Sequence, residues 1–350
     1  MPKIYFCGLT SSKLVRGDES VGNTSTLSAI TEPTQIKHEN VTDVEIGWDY
    51  LLVWKNDKLY VSGQSRSQDT AAGLCPLEIP GHPKVALKQA IAGSEHVTLL
   101  TNSCDLWVHK MQSNTWKVVP DFISCSDEGG RKEHVIKVVQ GRCTVALTNA
   151  GHVFNIPVML NNPETVEFVD IACGFDHTIL LAKNGDVYSI GMGTRGQLGH
   201  GDLEDCDEPK LIEALAGLKV LQITASGWHS AVVTDQGDLY TWGWNNRGQL
   251  GLPDVENVTA VPTLVDFKSQ TGQSIEINIK KVQCGNAFTI CRTDNGDFWG
   301  CGSNKYGQLG LTKNDSSSTK QFVRLKFNNV NGQIQDFKCR EWGTCIYAVN

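Results

Sequence analysis

The chain has 350 residues, of which 40% are hydrophobic and 8% aromatic, and it carries a formal net charge of −7 at pH 7. An acidic chain lacks the clustered lysine and arginine that broad phosphate binding needs, so we expect no direct sequence-specific contact with nucleic acid. Since it contains no apolar run of about 18 residues, we expect no membrane span and no export signal, and we place the protein in the nucleus or the cytoplasm.

The first half of the chain contains three weak copies of one unit. Each copy has a short inner turn, then a hairpin signal, then an aromatic strand, and the turns begin at Gly47, Gly93 and Gly141. The third turn precedes the next one, at Gly174, by only 33 residues (174 − 141). We therefore predict that the third unit has lost most of its outer strands and forms an irregular or truncated blade.

The second half of the chain contains three clear copies of the unit. The copies read GDVYSIGMGTRGQLG, GDLYTWGWNNRGQLG and GDFWGCGSNKYGQLG and begin at Gly185, Gly237 and Gly296, at offsets of 52 (237 − 185) and 59 (296 − 237) residues. These glycines follow Asn or Gln at a tight hairpin turn, so we assign them a structural role. Repeat lengths in this range predict one four-stranded propeller blade per copy.

The two ends of the chain complement each other. The last unit stops at 346–350, where it needs its hairpin, and residues 3–8 line up with 238–243 of a clear copy. Seven inner turns are present in all, and they begin at Gly47, Gly93, Gly141, Gly174, Ser226, Gly285 and Arg340. We therefore predict a single all-β domain over residues 1–350, a seven-bladed β-propeller closed by pairing of its N- and C-terminal strands.

These motifs closely resemble the regulator of chromosome condensation repeat family, whose unit reads Gly-x-x-His-Ser/Thr, then Asp-Gly or Asn-Gly, then an aromatic strand, then Gly-x-Asn-x-x-Gly-Gln-Leu-Gly. The resemblance is specific over residues 169–311 and diffuse over 37–160. The segments most similar to a small metazoan member are EPKLIEAL (208–215), GWHS (227–230), WGWN (242–245) and YAV (347–349).

The resemblance implies a non-enzymatic adaptor associated with chromatin. It implies a jumonji-type oxygenase as the partner, a histone demethylase or protein hydroxylase that the adaptor binds and supports. Histones would be reached through that complex, with a role in chromatin state and in chromosome segregation at mitosis.

The alternative function is nucleotide exchange on a small GTPase, because the founding member of the family is such an exchange factor. That member has a basic N-terminal tail, and since the closing strand begins at Lys3 we expect no counterpart of that tail here. The longest linkers, 64–88, 109–135 and 252–278, are candidates for a GTPase-engaging wedge by length alone.

Three histidines, His96, His177 and His229, occupy one repeat position. The other units fill it with Tyr50, Thr144, Phe288 and Gly343. A position that also accepts phenylalanine and threonine fits packing better than a metal or acid–base site, so we predict hydrogen bonds from the ring nitrogens to the backbone.

Catalytic and metal sites are not indicated by the sequence. The twelve cysteines should remain reduced without a secretory signal, and Cys173, Cys284 and Cys339 share a repeat position typical of small buried side chains. No Cys-x-x-Cys pair, nucleophile–base pair or phosphate-binding loop is convincing, so we predict no catalytic residue, no metal and no cofactor. The glycines at 191–196 lack the strand–helix setting of a dinucleotide site.

Clustered tryptophans raise a sensory alternative, because plant ultraviolet-B receptors also resemble this family. Trp228, Trp242, Trp244 and Trp299 are the candidates here. Those receptors carry Gly-Trp-Arg-His-Thr turns, whereas this chain has GWHS at 227–230 without an arginine, so light sensing is not favoured.

Strand polarity places the inner turns and the Gly-Gln-Leu-Gly loops on the same face of the disc. Aromatic residues and arginine, the usual composition of binding hot spots, collect there. The predicted protein-binding residues are Trp48, Arg142, Phe175, Trp228 and Trp342 around the channel mouth, and Arg195, Arg247 and Tyr306 further out. We single out Arg142, which lies in the irregular third unit, as a docking anchor or a modified residue.

Overall fold

The structure is a computed structural model that describes residues 2–16, 27–63, 73–120, 122–123, 133–163, 165–255, 257–269, 271–311 and 317–350. Within these residues the predicted all-β, seven-bladed propeller is confirmed, because 28 strands form seven four-stranded sheets. The helical segments in the same residues are a short helix, α1 (Lys13–Arg16), and one turn of 3-10 helix (Glu213–Leu215).

In chain order the strands are β1 (Lys3–Thr10), β2 (Ser28–Gln35), β3 (Val41–Ile46), β4 (Tyr50–Lys55), β5 (Lys58–Gly63), β6 (Cys75–Pro76), β7 (Leu87–Ala92), β8 (His96–Thr101), β9 (Leu106–Lys110), β10 (Thr115–Val118), β11 (Val135–Gln140), β12 (Thr144–Thr148), β13 (Val153–Asn155), β14 (Val158–Met159), β15 (Phe168–Cys173), β16 (His177–Ala182), β17 (Val187–Gly191), β18 (Cys206–Leu211), β19 (Val220–Ser226), β20 (His229–Thr234), β21 (Leu239–Trp244), β22 (Val258–Leu264), β23 (Ile279–Gly285), β24 (Phe288–Thr293), β25 (Phe298–Ser303), β26 (Ser318–Leu325), β27 (Gln333–Arg340) and β28 (Gly343–Val349).

Each sheet is one blade. Blade 1 contains β3 to β6, blade 2 β7 to β10, blade 3 β11 to β14, blade 4 β15 to β18, blade 5 β19 to β22 and blade 6 β23 to β26. Blade 7 combines both ends of the chain, in the order β2, β1, β28, β27. There β1 runs antiparallel to β28, with Lys3 opposite Ala348 and Gly8 opposite Gly343.

Blade 3 has a very short connection between its outer strands, as does blade 2, where residues 111–114 join β9 to β10. It has four strands, but β13 is three residues long and β14 is two. Ile156 and Pro157 alone join them, whereas residues 192–205 join the corresponding strands of blade 4. The outer strands are therefore shortened and still present, and the Gly-Gln-Leu-Gly loop is the part that is missing.

The hydrophobic core is divided among the interfaces between blades. Side chains along a strand alternate between the two faces of the sheet, so each blade packs on both neighbours. In β16, Ile179 packs with Val232 of blade 5, whereas the next residue, Leu180, packs with Val145 of blade 3. The hydrophobic residues that recur in each repeat are therefore also the residues that pack one blade on the next.

The three hairpin glycines have the backbone conformation that their turn requires. Gly185, Gly237 and Gly296 have φ of 95°, 83° and 93°, in a region that residues with a Cβ rarely adopt. Each donates its amide hydrogen to the carbonyl three residues before it, which closes the turn.

Candidate protein-interaction surface

The inner turns and the Gly-Gln-Leu-Gly loops lie together on one side of the propeller, called here the turn face. Arg195, directly before the blade 4 loop at 196–199, has its guanidinium 4.3 Å from the ring centroid of Trp228 in the inner turn of blade 5. Tyr306, directly before the blade 6 loop, has its ring centroid 5.7 Å from that of Trp342 in the inner turn of blade 7. Both kinds of loop therefore contribute to one surface.

The first group of aromatic residues spans blades 6, 7 and 1 and is called here the blade 7 cluster. It contains Tyr306, Trp342 and Trp48, and the two indoles meet edge to face, with ring centroids 5.9 Å apart and an interplanar angle of 82°. Lys305 places its ammonium 5.1 Å from the Tyr306 ring. Trp48 keeps 38% of its surface exposed, so the rings are positioned by one another and still accessible.

The second group spans blades 4 and 5 and is called here the blade 5 cluster. Phe175 and Trp228 are its centre, with ring centroids 5.0 Å apart. Arg195 lies over Trp228 and also 5.4 Å from the Trp244 ring, so one guanidinium contacts two indoles. The indole nitrogen of Trp228 donates to Asp176 Oδ2 at 3.0 Å, which fixes the ring orientation. Cation–π contacts of this kind stabilise by about 0.5–1 kcal/mol at exposed sites.

Arg142 joins the blade 5 cluster from blade 3. Its Nε lies 3.0 Å from Asp176 Oδ1, and its amide donates to the Phe175 carbonyl at 2.7 Å. The Arg142 side chain is 73% exposed, whereas that of Asp176 is 7% exposed. The arginine is therefore tethered along one edge and open to solvent on the rest of its guanidinium.

The remaining predicted surface residue, Arg247, stays apart from both clusters. Its side chain is exposed, and its amide donates to Gln249 Oε1 at 2.9 Å within its own loop. Among the contacts of the described residues, no ring or carboxylate contact connects it to the blade 7 or the blade 5 cluster. The structure thus brings together seven of the eight predicted residues, in two groups.

The inner-turn residues of the two clusters do not share one repeat position. Trp48 and Phe175 directly follow the first residue of their turns, whereas Trp228 and Trp342 stand one residue later. Relative to the histidine position, Trp48 and Phe175 stand two residues before it and Trp228 and Trp342 one residue before it.

Blade 3 also has a shorter inner turn than the sequence indicated. The amide of Gly141 donates to the carbonyl of Cys143, whereas in blade 4 the amide of Gly174 donates to the carbonyl of His177. Cys143, and not Thr144, therefore occupies the histidine position of blade 3. One residue is missing from the turn, which shifts the pairing of every later residue of β12 by one.

The histidines at the repeat position connect neighbouring blades. His177 Nε2 lies 2.8 Å from Ser230 Oγ of blade 5, and His229 Nε2 lies 2.9 Å from Thr289 Oγ1 of blade 6. His96 also contacts the next blade, through the side-chain amide of Gln140 on the inner strand of blade 3. The expected backbone partners were wrong for these nitrogens, since side chains of the next blade take that role.

Burial keeps these imidazoles neutral. It lowers the pKa of both His177 and His229 to about 3, and it also lowers the pKa of His96. A neutral, buried ring that already contacts a hydroxyl is positioned to hold two blades together.

The axial channel opens on the turn face as a cavity of about 520 Å³ lined by the inner strands. Arg340 of blade 7 donates from Nη2 to the carbonyl of Gln140 in blade 3 at 2.7 Å, and so reaches across the channel. Beside it, Asn286 Nδ2 donates to Glu341 Oε2 at 2.8 Å, and burial raises the pKa of Glu341. The sequence indicates these two contacts through Arg340-Glu341, a charged dipeptide at the start of the seventh turn, where most of the other turns begin with glycine.

Of the thiols on the inner strands, those of Cys284 and Cys339 are buried and that of Cys173 is half-buried. Burial raises the pKa of Cys173 to about 11 and that of Cys284 to about 12, and it raises the pKa of Cys339 as well. The eleven cysteines of the described residues are free thiols, and Cys125 lies outside those residues.

In the described part of the chain, no group of three or more His, Cys, Asp or Glu side chains is arranged to hold a metal ion, and no helix is long and apolar enough to cross a membrane. Of the three linkers considered as a wedge, parts of each lie outside the described residues: 64–72, then 121 and 124–132, then 256 and 270.

Comparison with known proteins identifies the repeats. Two models described as the regulator of chromosome condensation (RCC1) repeat match the chain, one over residues 184–233 and 236–292 and the other over 168–197, 220–249 and 279–308. Human RCC1 domain-containing protein 1 is 35% identical over 208 residues, which are 50% of this chain and 55% of that protein. The ultraviolet-B receptor UVR8 of Arabidopsis thaliana is 39% identical over 187 residues, which are 53% of this chain and 40% of the receptor.

The chain therefore spans about half the length of the curated relatives it matches. The fold is shared with a solved structure of Prp20p from Saccharomyces cerevisiae, which is described with its binding to Gsp1p and histones. That structure has a TM-score of 0.75 and 18% identity, and the match covers 100% of this chain and 92% of that chain.

Proposed function

The chain carries regulator of chromosome condensation repeats between residues 168 and 308, and on that premise we propose that it is a non-enzymatic, nuclear interaction adaptor associated with chromatin. Its partner is a jumonji-type oxygenase that acts on histones or other proteins. The adaptor binds and supports that enzyme, and histones are reached through the complex, with effects on chromatin state and chromosome segregation.

The observation that supports this proposal is the composition of the turn face. The blade 5 and blade 7 clusters present tryptophan, tyrosine and arginine on one side of a rigid ring, and these residue types dominate binding hot spots. Arg142 adds an exposed guanidinium, which suits bidentate recognition of a carboxylate. A partner that covers both clusters would bury aromatic anchors together with a charged contact.

The test is capture of the purified oxygenase on the immobilised propeller. Arg142→Ala should reduce the captured enzyme about tenfold if Arg142 is an anchor, as loss of one interface charge contact weakens binding by about 1.4 kcal/mol or more. Arg247→Ala is the matched control, because Arg247 is an exposed arginine of the same face outside both clusters. No capture by the wild-type chain would refute the adaptor proposal.

Modification of Arg142 is a separate form of the same proposal. After incubation with active oxygenase, 2-oxoglutarate, iron and oxygen, mass spectrometry should find one added oxygen atom on Arg142. An unmodified Arg142 next to a modified control substrate would exclude it as a substrate and leave the anchor role to the capture experiment.

The second candidate is a guanine-nucleotide exchange factor for a small GTPase. It has the support of the repeat family, since the related propeller of Prp20p is described with its binding to Gsp1p. Release of a labelled nucleotide from a panel of GTPases decides between the two candidates. Acceleration at catalytic amounts of the propeller would replace the adaptor proposal.

A further inference from the structure

The interfaces between blades 4, 5, 6 and 7 are completed by a loop of the preceding blade. The main-chain carbonyl of Gln249 in the blade 5 loop accepts a hydrogen bond from Thr289 Oγ1 of blade 6 at 2.7 Å, and that of Gln308 accepts one from Thr344 Oγ1 of blade 7 at 2.7 Å. The carbonyl of Gln197 accepts one from the Trp242 indole of blade 5 at 2.9 Å. The leucines that follow these glutamines are buried to 1% exposure or less: Leu198, Leu250 and Leu309.

Blade 4 has the threonine that would contact such a loop, but the preceding blade, blade 3, has no loop to supply. Thr178 occupies the position of Thr289 and Thr344, but Ile156 and Pro157 make the whole connection that would carry the loop of blade 3. At the preceding interface the chain after β10 supplies other side chains, since Phe122 packs against Phe154. The contact between blades 3 and 4 is therefore built for a loop that blade 3 does not contain.

The hydroxyl of Thr178 can act as a donor to an incoming loop. Its oxygen lies 3.2 Å from the thiol of Cys173, as the oxygen of Thr344 lies 3.6 Å from the thiol of Cys339. Burial raises the pKa of Cys173, so the thiol keeps its proton and can donate to the threonine oxygen. The hydroxyl proton of Thr178 then remains for an acceptor, and in blade 7 that acceptor is the Gln308 carbonyl.

An open pocket of about 190 Å³ lies at this place. Ile190 stands opposite Thr178, whereas Trp242 stands opposite Ser230 in blade 5 and Cys301 opposite Thr289 in blade 6. The lining is mainly apolar, with Arg142 and Phe175 of the turn face at the same pocket. Six of its lining residues are Cys143, Val145, Leu160, Thr178, Ile190 and Met192.

We infer that the pocket between blades 3 and 4 is a docking site for a leucine-bearing turn of a partner protein, which takes the place of the missing Gly-Gln-Leu-Gly loop. The leucine side chain fills the apolar space, and a main-chain carbonyl of the turn accepts the Thr178 hydroxyl proton. The inference rests on the proposed adaptor function only for the origin of the turn, because the geometry of the pocket is set by this chain alone.

The probe is a cyclic peptide with the sequence of residues 193–200, GTRGQLGH, added to the full chain with labelled methyl groups. We expect saturable shifts of the Ile190, Thr178 and Val145 methyl signals and no shifts in blade 7. A peptide with alanine in place of leucine should bind at least tenfold more weakly. Absence of shifts at millimolar peptide, or equal binding of the alanine peptide, would overturn the inference.

Two blocking variants address the pocket without changing Arg142. Cys143→Trp places a large side chain in the pocket from an exposed lining position, and replacement of 156–157 by residues 192–205 of this chain supplies the loop in cis. The grafted variant keeps the test decisive if Cys143→Trp does not fold. Both should lose peptide binding, and unchanged binding to a folded blocking variant would show that the peptide binds elsewhere.

The last step separates this inference from the proposed function. If the wild-type chain binds the peptide but does not capture the oxygenase, the pocket stands and the named partner fails. If the oxygenase is captured equally by the wild-type chain and by the blocking variants, its docking segment does not enter the pocket, and the inference is overturned for that partner. Dimers of the wild-type chain that the graft abolishes would identify a second copy, and not a partner, as the occupant.

Discussion

The imidazole Nε2 of His229 lies 2.9 Å from the hydroxyl of Thr289, and this contact joins blade 5 to blade 6. Both residues are fully buried, and the hydroxyl also donates to the carbonyl of Gln249, so three blade elements meet at one oxygen. Contacts between neighbouring blades thus stabilise the propeller.

Substitutions at His229 should separate packing from hydrogen bonding. His229→Ala removes a buried ring and its contact, and we expect it to lower the free energy of unfolding by about 2–4 kcal/mol. His229→Phe keeps the ring, as Phe288 does in blade 6, and should cost about 0.5–1.5 kcal/mol. Urea unfolding measures both values, and equal costs would show that the hydrogen bond dominates.

Stability should fall as the pH is lowered. The folded-state pKa values of His177 and His229 are about 3, below the unfolded value of about 6.5, so the unfolded chain binds more protons between these limits. The stabilisation is complete above about pH 6.5 and is lost towards pH 3, by up to about 1.4 kcal/mol per pH unit for each histidine. Urea unfolding between pH 7 and 4 should show this slope, and the double variant H177F/H229F should have a smaller one.

Removal of the arginine between two indoles should change tryptophan emission. Arg195→Ala exposes the faces of Trp228 and Trp244 to water, so we expect a red shift of the emission and a loss of about 0.5–1 kcal/mol of stability. Arg247→Ala serves as the control because Arg247 lies outside both clusters. Identical spectra for the two variants would argue against the stacked geometry.

The side chain of Phe6 should be essential for the sheet that contains both ends of the chain. It is fully buried and packs with Val44 and Ile46 of blade 1. Phe6→Ala should therefore lower the free energy of unfolding by about 3–5 kcal/mol. Val118→Ala, at an exposed strand position of blade 2, should change it by less than about 0.5 kcal/mol. Similar losses in both variants would contradict the packing.

The hairpin glycines and the blade number could be predicted from sequence because they repeat. The contact of Arg195 with Trp228 could not be predicted, because the two residues lie in different blades and nothing in the turn at 227–230 indicates an arginine partner. The register at Cys143 was missed because a deletion of one residue in a turn leaves the local motif intact. The pocket beside Thr178 could not be predicted either, because it depends on a loop that another blade lacks.

The pairing of β1 with β28 also affects how the ring unfolds. An open array of repeats has two end units, each with one neighbour, and such units fray first. Here the sheet that contains both strands has a blade on either side, so loss of any blade removes two interfaces at once. We therefore expect one cooperative unfolding transition and hydrogen-exchange protection that is nearly uniform over the inner strands, including those of blade 7.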